Sequence, residues 1–208
     1  MRIAIIGTGN IGGRLARGWA AAGHTIRLGS RDPAGEKVRE IVAANPDRIS
    51  AHSLAAAAES AEVVAIAVHP PVLREVCEAL GEPGDRILID TMNTMFRKPG
   101  EHATTAAALK AWTGSERVVK ILNNTGAENV ERPQYGGAPI DTFYCADDSE
   151  AGRVAAGLAE DLGFRAWDTG GLENAELLEA FAALWVTLAI KQGHGRDIAF
   201  KLLSRSEA

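Results

Sequence analysis

Three glycines near the start of the chain have the spacing of a phosphate-binding turn. Gly7, Gly9 and Gly12 follow the apolar residues 3–6 and open a stretch with an apolar helical stripe. In a strand–turn–helix unit, the first glycine allows the tight turn and the second lets a pyrophosphate approach the backbone. The third lets the helix pack closely on the strand, and the N–H groups at the helix start hold the anion. The sequence therefore predicts a dinucleotide-binding site that includes Gly7, Thr8, Gly9, Asn10, Ile11 and Gly12.

The end of the predicted second strand indicates which dinucleotide fits. Residues 25–29 form this strand, and Ser30 and Arg31 follow it. NAD-binding domains usually carry an acidic residue here, about 20 residues past the glycines, to bind the ribose 2′-hydroxyl. A hydroxyl and a guanidinium can instead hydrogen-bond a 2′-phosphate, so Ser30 and Arg31 predict NADP, or NADPH when reduced. Asp32 is acidic, but a proline follows it, and we expect it to turn outward and cap a helix that begins at Ala34.

Two further strand ends place side chains at the same edge of the predicted sheet. One apolar run ends at Val68 and His69, and the run over residues 86–90 is followed by Asn93. Ligands of parallel sheets bind at the carboxyl ends of the strands, so we add all three residues to the cofactor-binding set. His69 could alternatively only shape its loop. The loop at 96–99 contains one aromatic and two basic residues, which either receive an anionic part of a substrate or are simply solvated.

The pattern of elements predicts an α/β fold. Short apolar strands alternate with helical stretches, as in a Rossmann-type, doubly wound parallel sheet. We predict an NADP-binding Rossmann domain over residues 1–140, ending in a turn-rich segment at 133–139. Residues 141–208 are predicted to form a small α/β C-terminal extension that closes the cleft and ends in a long helix at 174–192. This helix is apolar on nearly every side, so it is expected to cover the cleft or to join a homodimer interface.

Composition excludes several classes of partner. The chain of 208 residues has a net charge of −5, which argues against nucleic acid or an anionic membrane surface. Its longest apolar stretch, 180–190, is shorter than the roughly 20 residues that span a bilayer, and the apolar run before Gly7 is too short for a signal peptide. Cys77 and Cys145 lie in apolar patterns, as small core residues do. The sequence thus predicts a cytoplasmic protein without a metal site.

Motifs at both ends of the chain resemble a known family. At the front these are the glycine segment 7–12 and Gly29-Ser30-Arg31; at the back they are Ala146-Asp147-Asp148 before a helix and the segment 168–175 (DTGGLENA) before the last helix. Over its whole length the sequence is similar to the NADPH-dependent reductases of the deazaflavin coenzyme F420 and their bacterial relatives. The resemblance implies a Rossmann domain, with a C-terminal part that closes a cleft over the nicotinamide. It also maps cofactor binding onto Thr8, Gly9, Asn10, Ile11, Ser30 and Arg31.

The resemblance further implies direct hydride transfer between two stacked rings, which needs positioning rather than an acid or a base. The tyrosines agree with this chemistry. Carbonyl reductases need a proton donor, commonly a tyrosine with a lysine four residues later. Here Tyr135 is followed at that spacing by Pro139, and Tyr144 by Asp148. We therefore assign no catalytic acid or base.

The acceptor and the activity each have alternatives. The resemblance implies that deazaflavin-reducing members often carry a histidine and an aliphatic residue after the sixth strand, where this chain has Asn123-Asn124-Thr125-Gly126. A flavin, a quinone or another planar small molecule is therefore an alternative acceptor and co-substrate. A second enzyme hypothesis is an imine or pyrroline-type reductase, which usually adds a longer helical domain. A third is a non-catalytic redox sensor that binds NADP(H).

Overall fold

The computed structural model describes residues 1–95 and 97–205, and its largest sheet has eight strands. In chain order the strands are β1 (Arg2–Ile6), β2 (Thr25–Gly29), β3 (Ile49–His52), β4 (Val63–Ile66), β5 (Ile87–Asp90), β6 (Val118–Lys120), β7 (Gln134–Tyr135), β8 (Ala138–Pro139), β9 (Asp141–Ala146) and β10 (Arg165–Asp168). The large sheet has the order β10-β9-β6-β5-β4-β1-β2-β3, while β7 and β8 form a separate hairpin. Neighbours from β6 to β3 are parallel, β9 is antiparallel to β6, and β10 is parallel to β9.

Helices cover both faces of this sheet. They are α1 (Asn10–Ala21), α2 (Glu36–Ala43), α3 (Leu54–Glu59), α4 (Leu73–Leu80), α5 (Thr105–Thr113), α6 (Glu128–Glu131), α7 (Ser149–Asp161) and α8 (Ala175–Val186). One core cluster contains buried residues of α1, α2 and α7, and a second contains buried residues of α3, α4, α5 and α8. Strand β1 supplies both clusters, because Ile3 and Ile5 point to the first and Ala4 and Ile6 to the second. The predicted doubly wound α/β fold is therefore confirmed.

The order of the strands determines where a ligand can bind. The chain moves from β1 to β2 and β3 on one side, and then returns to place β4 on the other side of β1. At such a switch point the loops after adjacent strands diverge and leave a crevice outside the carboxyl ends of the strands. The loops after β1, β2, β4 and β5 all open at this edge.

One predicted helix start is wrong. Helix α2 begins at Glu36, with Gly35 as its N-cap and no side-chain capping hydrogen bond. Asp32 does not cap it, because the backbone of Asp32 forms a local turn: its N–H donates to the Oγ of Ser30 (3.1 Å), and its carbonyl accepts from the N–H of Gly35 (3.2 Å). The Ser30 hydroxyl, two residues before Asp32, stabilises this turn in place of an earlier start of the helix.

The C-terminal residues continue the same sheet. Strands β9 and β10 extend it beyond β6, and Trp19 of α1 donates to the carbonyl oxygen of Leu158 in α7 (2.7 Å). The predicted terminal helix is present as α8, preceded by a 3-10 turn (Leu172–Asn174) and followed by a π-helical turn (Thr187–Lys191). The division of the chain at residue 140 stays a prediction. Within the described residues no helix is long and apolar enough to cross a membrane.

Both cysteines are core residues, as predicted. Cys77 and Cys145 are free thiols and are buried. Burial raises the pKa of Cys77 to about 11 and that of Cys145 to about 12. Neither thiol is ionised at neutral pH, so neither is an activated nucleophile.

Candidate functional site

The turn between β1 and α1 depends on glycine at two positions. Gly7 has a φ of +110°, and a Cβ built on it would lie 2.4 Å from the carbonyl oxygen of Ala67. A Cβ on Gly12 would lie 2.0 Å from the carbonyl oxygen of Gly7. Larger residues at either position would push the turn away from its neighbours, so these glycines bring the start of α1 against the sheet.

Gly9 differs from these two, because the space beside it is open. It has extended backbone geometry (φ −73°, ψ −168°), and no protein atom lies within 4 Å of the position of a built Cβ. Gly9 is also the N-cap of α1, makes no side-chain capping bond, and is followed by a first turn without acidic residues. The first N–H groups of the helix lack intrahelical partners and carry the positive end of its dipole. The turn therefore fits a pyrophosphate, which would occupy the space that a side chain on Gly9 would fill.

A cleft of about 760 Å³ extends from this turn along the carboxyl edge of the sheet. Its lining contains every predicted cofactor-binding residue except Gly12, which lies behind the turn. The predicted residues in the lining are Gly7, Thr8, Gly9, Asn10, Ile11, Ser30, Arg31, Val68, His69 and Asn93. Further lining residues are Gly29, Asp32, Lys37, Leu54, Ala67, Pro70, Val72, Glu75, Val76, Thr91, Met92 and Met95. The structure thus brings the predicted residues together, and their individual roles stay predictions.

The end of β2 forms one end of the cleft. Arg31 and Lys37 both line it and are exposed. Ser30 lies beside them, and its hydroxyl is in hydrogen-bonding range of the backbone of Asp32, whose turn was described above. Two cationic side chains and a hydroxyl here are suited to a phosphate group. Lys37 was not among the predicted binding residues. It is the second residue of α2, and its charge lies at the same end of the cleft as that of Arg31.

The ends of β4 and β5 form the other end. Val68 is half-buried, and His69 is exposed at the start of a 3-10 turn (Pro70–Val72). Asn93 is held by a reciprocal pair of bonds with Asn123: its Nδ2 donates to the Asn123 carbonyl (2.9 Å), and its Oδ1 accepts from the Asn123 Nδ2 (2.9 Å). These bonds fix the direction of the Asn93 amide at the cleft. In the basic loop, Phe96 lies outside the described residues, and Arg97 and Lys98 are exposed.

The polar residues after β6 are turned into the protein. Leu122 has a φ of +58°, and the chain bends there so that Asn123 and Asn124 become 4% and 1% exposed. Asn124 donates from Nδ2 to the carbonyl of Asp141 (3.2 Å) and accepts from the hydroxyl of Thr142 (3.0 Å). These amides therefore support the neighbouring strands.

A buried charged cluster behind the cleft was missed by the sequence analysis. Its members are Asp90, Lys120 and Glu179, which are 0%, 0% and 7% exposed. The Nζ of Lys120 lies 3.0 Å from Asp90 Oδ2 and 3.0 Å from Glu179 Oε1. Burial opposes ionisation of Glu179, but the Lys120 ammonium and the donors of Thr94 outweigh it and lower the pKa of Glu179. The available signal was Glu179, an acid within a long helix that is predicted to be largely apolar.

The two tyrosines lie away from the cleft lining. The hydroxyl of Tyr135 donates to Asn129 Oδ1 (2.8 Å), and Tyr144 is 8% exposed. Burial raises the pKa of both phenols. Neither tyrosine belongs to the cleft lining, and the expectation that the chain uses no catalytic acid stays a prediction.

Comparison with known proteins gives a consistent set of relatives. The family model described as "NADP oxidoreductase coenzyme F420-dependent" matches residues 2–94. The F420-dependent NADP reductase of Methanothermobacter marburgensis is 32% identical over 212 residues, covering 92% of this chain and 93% of that protein. The solved structure of a putative F420-dependent NADP reductase from Arthrobacter sp. is 25% identical, with a TM-score of 0.82, and the match covers 98% of this chain and 100% of that one. An imine reductase from Streptomyces aurantiacus shares the fold alone, at 15% identity and a TM-score of 0.67, over 89% of this chain and 61% of that one.

Proposed function

The chain belongs to the family of coenzyme F420-dependent NADP oxidoreductases, and we propose that it transfers a hydride directly between NADPH and the deazaflavin coenzyme F420. The observation that carries this proposal is that one cleft joins the glycine turn to two exposed cationic side chains, Arg31 and Lys37, at one end and to Asn93 at the other. A dinucleotide needs these features in that order along the sheet edge.

The chain's own residues have separate tasks in this proposal. Ser30, Arg31 and Lys37 bind the 2′-phosphate, and the N–H groups that open α1 bind the pyrophosphate. The nicotinamide half then extends past β1 to Val68, His69 and Asn93. The bound cofactor supplies a hydride. The protein contributes the distance and angle between the two rings. The proton that completes reduction of the deazaflavin comes from the solvent, so the hydride step needs no acid from the chain.

The residues after β6 do not favour a different acceptor. Asn123 and Asn124 are engaged in internal hydrogen bonds, and neither belongs to the cleft lining. Their difference from the pattern that the resemblance implies therefore leaves the described cleft wall unchanged. Flavins, quinones and cyclic imines remain useful as competing substrates in a test. The imine reductase hypothesis rests on a shared fold alone.

The proposal is tested by following NADPH oxidation with the purified protein. Separate additions of coenzyme F420, FMN, FAD, a quinone and a cyclic imine identify the acceptor, and NADH serves as the control. We expect turnover with F420. At cofactor concentrations below saturation, turnover with NADH should be slower than with NADPH by about tenfold or more, because NADH lacks the 2′-phosphate and one charged hydrogen bond contributes about 1.5–3 kcal/mol. Tight NADPH binding without turnover on any acceptor would instead support a redox sensor, and turnover on the imine alone would support an imine reductase.

We further propose that the protein is a homodimer in the cytoplasm. Leu177, Leu184 and Ile190 are 62%, 46% and 54% exposed along α8 and the π-helical turn after it. Such a row of large apolar side chains is suited to a second copy of the chain. The free thiols of Cys77 and Cys145 support a reducing compartment. A mass in solution of about twice the 21.9 kDa chain is expected, and the mass of a single chain would contradict the dimer.

A further inference from the structure

Glu179 of α8 joins four separate parts of the fold. Its Oε2 accepts from the backbone N–H of Thr94 (2.8 Å) and from the Thr94 hydroxyl. Its Oε1 accepts from the backbone N–H of Thr105 (3.2 Å) at the start of α5, and lies 3.0 Å from Lys120 Nζ in β6. One carboxylate thus connects the C-terminal helix to the loop after β5, to a helix N-terminus and to the centre of the sheet.

The loop after β5 is the part of this arrangement that reaches the cleft. Met92 donates its N–H to Asp90 Oδ1 (2.8 Å), and its carbonyl accepts from Lys120 Nζ (2.8 Å). Asn93 is paired with Asn123, and Thr94 is bound to Glu179. Three consecutive residues are therefore fixed by buried polar groups. Of the segment 91–95, Thr91, Met92, Asn93 and Met95 line the cleft.

The buried cluster of Asp90, Lys120 and Glu179 is unlike an arrangement that serves stability alone. Two carboxylates share one ammonium, and all three groups are buried. Burying charge is costly, and well-packed apolar residues often give equal or greater stability. What such a network does provide is a single, fully determined arrangement of the groups that it binds. Here these groups are the backbone and side chains of the loop after β5.

We propose that Glu179 is a positioning residue for hydride transfer, because it sets the loop that forms the nicotinamide end of the cleft. This inference rests on the proposed function, since it assumes that a nicotinamide lies at Asn93. Among the described residues, none of 141–205 lines the cleft. Through its hydrogen bonds to Thr94, Glu179 lets the C-terminal helix influence the position of the nicotinamide without contacting it.

The test compares Glu179→Gln with Glu176→Gln, an exposed acid one turn earlier on the same helix. Glutamine keeps the shape of the side chain, and the Lys120–Asp90 pair remains electrically balanced, so folding should be retained. The glutamine amide has one acceptor oxygen, so it can no longer accept from Thr94, Thr105 and Lys120 together. We expect the single-turnover rate of hydride transfer to fall by about 10- to 100-fold in Glu179→Gln, because misplacement by about 1 Å can cost on the order of 100-fold. Glu176→Gln should match the wild type.

A binding measurement separates this inference from the proposed function. The probe 2′-phospho-ADP-ribose lacks the nicotinamide and needs only the other end of the cleft. We expect its Kd to change by less than about twofold in Glu179→Gln, while the advantage of NADPH over the probe shrinks by several-fold. This result requires no acceptor, so it stands even if no acceptor is reduced.

Several results would overturn the positioning role. An unchanged advantage of NADPH over the probe would do so, as would parallel losses for both ligands, which indicate general damage. Equal affinities of the wild type for NADPH and the probe would contradict the premise that the nicotinamide binds at the Asn93 end of the cleft. If Glu179→Gln fails to fold, Thr94→Val can be tested instead, because it removes one donor to Glu179. It should reduce the advantage of NADPH over the probe by a smaller factor, and an unchanged advantage in this variant would also overturn the role.

Discussion

Gly9→Ala is expected to weaken NADPH binding by about 10- to 100-fold while leaving the fold intact. Gly9 has a backbone conformation that alanine adopts freely, and a new methyl group would meet no protein atom within 4 Å. The methyl would instead occupy the space where the pyrophosphate must approach the start of α1. Losing one hydrogen bond to a charged group costs about 1.5–3 kcal/mol, which gives about this range. Titration with NADPH and a thermal melt measure the two quantities.

Gly12→Ala provides the matched control for this substitution. Its Cβ would lie 2.0 Å from the carbonyl oxygen of Gly7, so the turn must shift and the free energy of unfolding should fall by at least about 1–3 kcal/mol. Gly9→Ala is thus expected to weaken binding without a loss of stability, whereas Gly12→Ala, three residues later, is expected to lower the stability. Wild-type NADPH affinity in Gly9→Ala would show that the pyrophosphate does not bind at this turn.

Arg31→Ala is expected to weaken NADPH binding by about tenfold or more and to leave NADH binding nearly unchanged. Arg31 lines the end of the cleft beside Ser30, where a 2′-phosphate would lie, and NADH has no such phosphate. A charge-assisted hydrogen bond contributes about 1.5–3 kcal/mol, and exposure of Arg31 favours the lower part of that range. Parallel measurements of Kd for both cofactors give the result.

Arg39→Ala is the control, because it removes the same charge from an exposed position of α2 outside the cleft lining. It should change neither Kd by more than about twofold, because Arg39 is exposed and lies outside the cleft lining, where a single surface charge contributes little. Equal losses for NADPH and NADH in Arg31→Ala would mean that Arg31 does not distinguish the cofactors by the 2′-phosphate.

The sequence was sufficient for the parts of the fold that local patterns determine. The four buried residues of β1 and the glycines after them predicted a buried strand, a tight turn and a helix, because each of these features depends on neighbouring residues. The strand ends predicted a common edge, since parallel strands share their direction. Ten of the eleven predicted binding residues line one cleft for this reason.

Contacts between distant residues could not be predicted in this way. The antiparallel pairing of β9 with β6 joins segments about 25 residues apart, and nothing in either segment specifies its neighbour. Glu179 and Thr94 are 85 positions apart, and only the packing of α8 brings them together. The bend at Leu122, which turns Asn123 and Asn124 inward after β6, was likewise not indicated by any local pattern. Helix α2 begins later than predicted because a local turn at Asp32 competes with its first residues.

The most direct test of direct hydride transfer uses NADPH with deuterium in both C4 positions of the nicotinamide. The protein is mixed with this NADPH and coenzyme F420 in ordinary water, and the reduced deazaflavin is analysed by mass spectrometry and NMR. If the two rings lie together in the cleft, each turnover transfers one deuterium to a carbon of the deazaflavin, with no hydrogen from water. Hydrogen from the solvent at that carbon, or NADPH oxidation without reduced deazaflavin, would contradict the account.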